Sequence, residues 1–139
     1  MMTTTQEILL DTCGNLDVLD VTDRVQAVVV QAGVANGLLT VFVPGSTAGL
    51  TTIEYEAGAV SDLRAAIERL VPRDIHYDHD RRWGDGNGHS HVRAALLGPD
   101  LHIPIVAGRL SLGTWQQIVL VDCDNRSRHR RLIVSVIGD

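Results

Sequence analysis

The residues from His76 to Gly98 have the composition of a site that binds a metal ion. This segment holds four of the six histidines in the chain, together with three aspartates, three arginines and one of the two tryptophans. A long polar stretch without periodicity is usually either functional or disordered. Because histidine, aspartate and tryptophan together argue against disorder, we interpret this segment as the active or metal-binding loop of the protein.

Three histidines in this loop have a spacing that suits a single metal ion. His89 and His91 form a His-x-His pair, and residues two apart lie on the same side of an extended segment. Three glycines between residues 84 and 88 would let the loop fold back and bring His79 close. Three protein ligands with an open fourth position form a catalytic zinc site, and Asp85 lies nearby in the loop. The competing interpretation is a solvated loop with incidental histidines.

A loop of small residues, Pro44 to Gly49, is a candidate anion site. It follows the most apolar segment of the chain and carries the hydroxyl groups of Ser46 and Thr47. Small residues let backbone N–H groups approach an anion, although the lysine and glycine spacing of a P-loop are missing. We predict Ser46 and Thr47 as substrate-binding residues, and the alternative is an ordinary turn.

Glu54 is a candidate general base. Glu54 and Glu56 alternate along a predicted extended segment, so we expect both carboxylates to lie on one face, where their like charges interact. Glu54 would then act as a base or as a hydrogen-bond partner of a histidine ligand. Solvated carboxylates at a strand edge are the alternative interpretation.

Two arginines and a Trp-Gln pair complete the candidate substrate site. The guanidinium groups of Arg93 and Arg109 suit bidentate phosphate contacts, and Trp115 and Gln116 stand together in the last third of the chain. Trp115 is alternatively a core or subunit-interface aromatic. The arginine-rich segment 126–131 is interpreted as a solvated turn.

The elements that must position these residues are strands with a few short helices between them. Leu38 to Val43 is a continuous apolar run, typical of a central strand. Ala59 to Leu70 has an apolar stripe at helical spacing, whereas the helix near Thr22 to Ala32 is weakened by a run of β-branched valines. His91 to Leu97 predicts a helix of two turns at most. The pattern predicts an α+β class with a mainly antiparallel sheet or sandwich and two to three short helices.

The composition of the chain limits which classes of protein it can belong to. With 139 residues, of which 45% are hydrophobic, we expect one globular domain over residues 1–139. The net charge of −5 argues against nucleic-acid binding. The two cysteines stand far apart and imply no disulfide framework, which fits a reducing cytoplasm. The N-terminus lacks the features of a signal peptide and no apolar run is long enough to cross a membrane, so we expect a cytoplasmic protein.

Several motifs taken together resemble a known family, named YjbQ and often labelled secondary thiamine-phosphate synthase. The resemblance covers nearly the whole chain. Its motifs are Phe-Val-Pro at 42–44, Ser-Thr-Ala at 46–48, Glu54, Tyr-Asp-His-Asp at 77–80, His-Val-Arg-Ala-Ala-Leu-Leu-Gly at 91–98, Pro104, Gly-Arg at 108–109, Gly-Thr-Trp-Gln at 113–116, and the arginine-rich turn with the closing strand to Gly138.

The resemblance implies an α+β fold that assembles as a homotrimer, with a histidine-lined metal site. The implied activity joins a pyrimidine pyrophosphate to a thiazole phosphate and yields thiamine phosphate. Many family members carry histidine directly after Phe-Val-Pro, where this chain has Gly45. Many also carry a small residue or proline in place of His89. We therefore hypothesise that His89 replaces the missing ligand, so that His79, His89 and His91 hold the ion; otherwise Gly45 marks altered or lost activity.

These expectations combine into an enzyme acting on a phosphorylated small molecule with a divalent metal, zinc first or magnesium with a pyrophosphate substrate. Glu54 or Asp85 is the predicted base. Arg93 is predicted as both a catalytic and a substrate-binding residue. The phosphate of the substrate would be bound by Arg93, Arg109, Ser46 and Thr47. Trp115 and Gln116 complete the predicted substrate-binding set. Two alternatives stay open, namely a metal-dependent hydrolase of a phosphorylated small molecule and a non-catalytic trimeric protein that binds a metal or metabolite.

Overall fold

The computed structural model describes residues 1–139 as eight strands and four helices. The strands are β1 (Met2–Thr12), β2 (Asp17–Asp20), β3 (Gly37–Phe42), β4 (Ala48–Ile53), β5 (Asp100–Val106), β6 (Arg109–Leu110), β7 (Gln117–Asp122) and β8 (Arg128–Gly138). The helices are α1 (Thr22–Ala32), α2 (Ala57–Leu70), α3 (Asp78–Trp83) and α4 (Gly88–Leu97). The predicted α+β class is confirmed, with four helices rather than two or three.

The strands form two antiparallel sheets. The larger sheet has the order β1-β8-β3-β5-β6 and the smaller one has the order β2-β7-β4. β3 lies between β8 and β5, so the prediction of a central strand from its apolar run is confirmed. β7 lies in the middle of the smaller sheet and is buried from Ile118 onwards, because both faces of that sheet are covered.

The main core lies between the two sheets. Leu39 and Val41 of β3 alternate with exposed neighbours and point inward, where they meet Leu50 and Leu120 of the smaller sheet. Helix α1 adds Val25 and two further valines to the same core. The β-branched run that opposed a helix is therefore overridden, because burial of these side chains outweighs a small loss of helix propensity.

Helix α2 covers the other face of the smaller sheet. Val60 and Ile67 pack with Val119 and Val121 of β7, as the apolar stripe of this segment predicts. Glu56 begins the helix, because its carboxylate accepts the backbone N–H groups of residues 58 and 59. No helix is long and apolar enough to cross a membrane.

Helix α4 packs directly on β4 and brings the histidine-rich segment to one end of the smaller sheet. Gly49 permits this close approach, since an added Cβ would lie only 2.6 Å from Leu97 Cβ. The backbone then ties the end of α4 to the strands, with Leu50 N donating to Gly98 O at 3.0 Å and Val43 N donating to Pro99 O at 2.8 Å. The interpretation of this segment as a loop is wrong for residues 78–83 and 88–90, which lie in α3 and α4. The predicted helix over 91–97 is confirmed, and it begins three residues earlier, at Gly88.

Candidate functional site

A cluster of one histidine and two aspartates lies where α3 meets the start of α4. His79 Nδ1 lies 3.7 Å from Asp80 Oδ1 and 3.6 Å from Asp85 Oδ1. One ligand atom from each of the three residues lies within 4.8 Å of the others. His79 Nδ1 is also buried and has no hydrogen-bond partner. The two separations are too long for hydrogen bonds but near the ~3.4 Å between ligand atoms of a tetrahedral zinc ion with bonds of about 2.1 Å.

Local structure holds this cluster in place. Helix α3 ends at Gly84, which has a φ of 63° and donates its N–H to Asp80 O at 2.8 Å. Asp80 Oδ1 accepts the N–H of Gly88, the first residue of α4, at 2.9 Å. Gly88 passes so close to Tyr77 that an added Cβ would lie 2.5 Å from Tyr77 Cβ. Asp80 is thus fixed by α4 at the same time as it faces His79.

Helical geometry separates the His-x-His pair. Both histidines lie in α4, where residues two apart point in directions about 200° apart around the helix axis. His91 faces His79, with ring centroids 4.3 Å apart. His89 is only 2% exposed, and its ring lies 6.3 Å from that of Tyr77. The premise of an extended segment is therefore wrong, and the structure brings His79 and His91 together without His89.

The environment of His89 is that of a neutral core histidine. Burial lowers the pKa of His89, and the nearby charges of Arg93 and Arg73 lower it further. Ser90 Oγ lies 3.4 Å from His89 Nε2, and Ser90 also pairs with the side chain of Asn87. The histidine consequently helps to pack α4 onto the body of the protein.

An open pocket of about 300 Å³ lies beside His91. Gly45 and Ser46 line one side of it, and Ala94 and Ala95 of α4 line another. The pocket is mostly apolar apart from the serine and the histidine. The structure therefore brings the predicted small-residue loop and the predicted histidine together, although they lie 45 residues apart in the sequence.

Thr47, in contrast, is buried in a network of charged groups. Its hydroxyl donates to Asp124 Oδ2 at 2.8 Å and accepts from Arg130 Nη2 at 2.7 Å. Asp122 accepts from Arg130 Nε at 2.7 Å and from Nη2 at 3.0 Å, and Arg128 Nε donates to Asp124 Oδ2 at 2.9 Å. Arg128 and Arg130 are thus ion-pair partners with side chains that are 34% and 9% exposed, so the interpretation of a fully solvated turn is wrong for them.

Burial and hydrogen bonding act in opposite directions on the pKa of Asp124 in this network. Burial alone would raise the pKa of the Asp124 carboxyl, but hydrogen bonds from Thr47 and Arg128 outweigh it, and the net pKa is lowered. Both Asp122 and Asp124 have fully buried side chains. At Asp124, hydrogen bonds that favour the charged form therefore outweigh the loss of hydration on burial.

Arg93 is placed away from solvent. It is 4% exposed, its Nε donates to Val71 O at 3.0 Å, and its Nη2 forms an ion pair with Glu68. These contacts fasten α4 to the end of α2. Arg93 lines a hollow with Leu63 and Leu97, and it is not among the residues that line the open pocket beside His91.

The remaining predicted residues lie elsewhere on the molecule. Glu54 and Trp115 line a groove of about 500 Å³ at the far end of β4, roughly 20 Å from Thr47 at about 3.3 Å per strand residue. Gln116 hydrogen-bonds to Thr52 Oγ1 near the same end. Arg109 is exposed at the edge of the larger sheet. Trp115 is 72% exposed, so it is not a core aromatic.

Sequence reasoning missed several residues that the fold places around the histidines. Asp80 is part of the Tyr-Asp-His-Asp motif, but the sequence does not single it out as a ligand. The pairing of Asp122 and Asp124 with Arg128 and Arg130 is likewise not predicted from the sequence. A signal was present, because two aspartates two apart and two arginines two apart flank a short turn. That pattern is typical of side chains that lie on one face of facing extended segments.

These features define an α+β protein of two packed antiparallel sheets with a histidine–aspartate cluster at one end. A family model described as UPF0047 protein YjbQ-like matches residues 6–139. A UPF0047 protein of Methanothermobacter thermautotrophicus is 39% identical over 96% of this chain and 92% of that protein. A second, from Archaeoglobus fulgidus, is 37% identical over 94% of this chain and 99% of that protein.

Solved structures agree with the fold. A YbjQ-like protein of unknown function from Sulfolobus solfataricus superposes with a TM-score of 0.93 at 30% identity, and the match covers 99% of both chains. A hypothetical protein from Aeropyrum pernix superposes with a TM-score of 0.90 at 35% identity, over 98% of this chain and 99% of that one. The chain therefore belongs to the YjbQ/UPF0047 family, as the sequence motifs indicate.

Proposed function

We propose that the chain binds a divalent metal ion through His79, Asp80 and Asp85, with His91 as a further ligand. The observation that carries this proposal is the buried nitrogen of His79, which has no hydrogen-bond partner and lies 3.6–3.7 Å from two carboxylate oxygens. A buried polar atom without a partner is costly, and a metal ion would satisfy it. Imidazole combined with carboxylate favours zinc over magnesium.

The ligand set revises the three-histidine hypothesis. His89 faces the protein interior, whereas His91 faces His79 and the open pocket. Mixed nitrogen and oxygen donors are a common set for catalytic zinc. The proposed substrate is a phosphorylated small molecule that enters the pocket between His91 and Ser46. A bound divalent ion would neutralise negative charge on such a substrate.

The finer proposal is a thiamine-phosphate synthase activity. In that reaction the thiazole nitrogen forms a bond to the pyrimidine methylene carbon, while the carbon–oxygen bond to pyrophosphate breaks and pyrophosphate leaves with the electron pair. Support comes from membership of the family and from a donor cluster beside an open pocket. Within one chain Asp85 is the nearer base, because Glu54 lies at the other end of β4.

The metal proposal is tested by elemental analysis and zinc titration of purified protein. We expect stoichiometric metal in the wild type and at least about tenfold weaker binding in His79→Ala and Asp85→Asn. His129→Ala is the matched control, because the His129 side chain is 94% exposed on β8 and lies outside α3 and α4. Unchanged stoichiometry and affinity in both site variants would refute the proposal.

The activity is tested separately, with protein freed of host thiamine enzymes. Formation of thiamine phosphate from the pyrimidine pyrophosphate and the thiazole phosphate, lost in Asp85→Asn, would support the synthase. Metal binding with no product would favour the non-catalytic binding protein. Release of inorganic phosphate from phosphorylated metabolites would instead favour the hydrolase.

We also propose the homotrimer that family membership suggests. The outer face of the larger sheet exposes several large apolar side chains, and their exposed fractions are 38–58% for Leu38, Phe42, Val106 and Ile137. A patch of this kind commonly marks a protein interface. Light scattering coupled to size-exclusion chromatography measures the mass directly, and a monomer at micromolar concentration would refute the trimer.

A further inference from the structure

The loop that follows β3 carries uncommitted hydrogen-bond donors. The backbone N–H groups of Gly45, Ser46 and Thr47 donate to no other group of the protein. Gly45 has a φ of 122°, a conformation that side-chain-bearing residues rarely adopt. Consecutive free N–H groups in such a turn form a concave surface suited to an anion. Taken alone, this loop would be an ordinary turn.

A second feature, independent of the loop, is the guanidinium of Arg130. Its side chain is only 9% exposed, and its Nε and Nη2 atoms are held by Asp122 and Thr47. Its Nη1 atom donates to no protein group, and an ideal Cβ at Gly45 would lie 3.1 Å from it. The free edge of a nearly buried arginine is therefore directed at the loop.

We propose that the free edge of Arg130 and the N–H groups of residues 45–47 form the binding site for a phosphate group of the substrate. This site rests on the proposed function in one respect, namely that the phosphorylated substrate bound here is the same molecule that contacts the metal ion. It replaces Arg93 and Arg109 as the phosphate ligands. Arg93 donates to Val71 and Glu68 and lines a separate hollow beside α2, and Arg109 lies at the far edge of the larger sheet, on β6.

Arg130 suits phosphate binding because its guanidinium is held rigidly, not because the region carries a net positive charge. Asp122 and Asp124 balance the charges of Arg128 and Arg130, so the region carries little excess positive charge. The same carboxylates hold the guanidinium in one orientation, which reduces the entropy lost when it binds a ligand. Charge-assisted hydrogen bonds from a fixed guanidinium and several backbone N–H groups are strong.

The absence of a side chain at Gly45 keeps this edge accessible. Open space lies on both sides, in the pocket of about 300 Å³ that Gly45 lines and in a hollow of about 440 Å³ that Pro44 and Arg130 line. Asp11 also lines the second hollow, but it is paired with His129 at 2.5 Å. Any larger residue at position 45 would crowd Arg130 Nη1.

The test is calorimetric titration of metal-free protein with inorganic phosphate at low ionic strength. Ser46→Asp places a carboxylate in the loop at an exposed position, and we expect phosphate affinity to fall at least about tenfold. Ser61→Asp is the matched control, because it adds the same charge at an exposed position on α2. Equal affinities in the two variants would overturn the proposal, since only a local effect distinguishes them.

A second pair of variants tests the access of Arg130. Gly45→Ala should weaken phosphate binding severalfold, because the new Cβ crowds Nη1. Gly108→Ala is the control, since Gly108 also has a positive φ and an added Cβ there meets nothing within 4 Å. Phosphate binding unchanged by Gly45→Ala and Ser46→Asp would overturn the proposal. Phosphate binding that persists in His79→Ala, with metal binding lost, separates this site from the metal site.

Discussion

The buried ion pair of Arg130 and Asp122 makes a quantitative prediction about stability. Arg130→Gln removes the charge that balances Asp122, whose side chain is fully buried and receives bonds at 2.7 and 3.0 Å from this arginine. Breaking a buried pair by removing one partner typically costs about 3–5 kcal/mol. That loss is a large share of the 5–15 kcal/mol by which native domains are stable. We expect Arg130→Gln to lower the free energy of unfolding by about 3 kcal/mol or more.

The neighbouring arginine supplies a matched control. Arg131 pairs with Glu7 at 2.6 Å, but both side chains are 51% exposed. Exposed pairs contribute roughly 0–1 kcal/mol, so Arg131→Gln should change the free energy of unfolding by less than about 1 kcal/mol. The comparison isolates burial, because the two substitutions are chemically identical and adjacent.

The measurement is urea denaturation followed by far-ultraviolet circular dichroism. Tryptophan fluorescence is a poor probe here, since Trp83 and Trp115 are 64% and 72% exposed. The double variant with Asp122→Asn should regain part of the loss, because the uncompensated charge is gone. A loss in Arg130→Gln no larger than that in Arg131→Gln would refute the account of this network.

Two further predictions concern the acid limit and the role of the second histidine. Because hydrogen bonds hold the pKa of Asp124 below its unfolded value near ~3.9, its stabilisation is complete above that pH and is lost as the pH falls through the folded pKa. The stability of Asp124→Asn should therefore depend less on pH below about 4, and an acid titration of unfolding free energy with the wild-type slope would contradict this. His89→Ala should leave zinc stoichiometry unchanged while destabilising the fold by roughly 1–3 kcal/mol, whereas His91→Ala should weaken zinc binding. Loss of zinc from His89→Ala would restore the hypothesis that His89 is a ligand.

Much of the fold follows from local pattern. The apolar run of β3 marks a central strand of the larger sheet. The apolar stripe of α2 marks a helix that packs on a sheet, since its periodicity reflects side-chain direction along a helix. Helix α4 was harder to predict. Its first four residues, Gly-His-Ser-His, favour no regular structure, and its N-terminus is set by contacts with Asp80 and Tyr77.

The candidate site was predicted in part. His79, His91 and Ser46 were selected from residue type and spacing, and the structure brings them to one end of the smaller sheet. The assignment of phosphate to Arg93 is not supported by its position, because a sequence does not show that a guanidinium is already engaged by Val71 and Glu68. Whether a guanidinium already has hydrogen-bond partners depends on contacts between residues that are distant in the sequence. The periodicity of the sequence does not reveal such contacts.

Composition and spacing by themselves determined the α+β class, the family and a histidine-rich metal candidate, because these depend on residue types and short-range order. Tertiary structure decided which side chains share a site. It turned His89 inward, since a helix separates residues two apart where a strand would align them. It also placed Arg130 beside Gly45, 85 residues away in sequence, with two buried aspartates fixing its orientation. The partners of a buried charged group depend on how distant segments pack together, and that packing forms only when the whole chain folds.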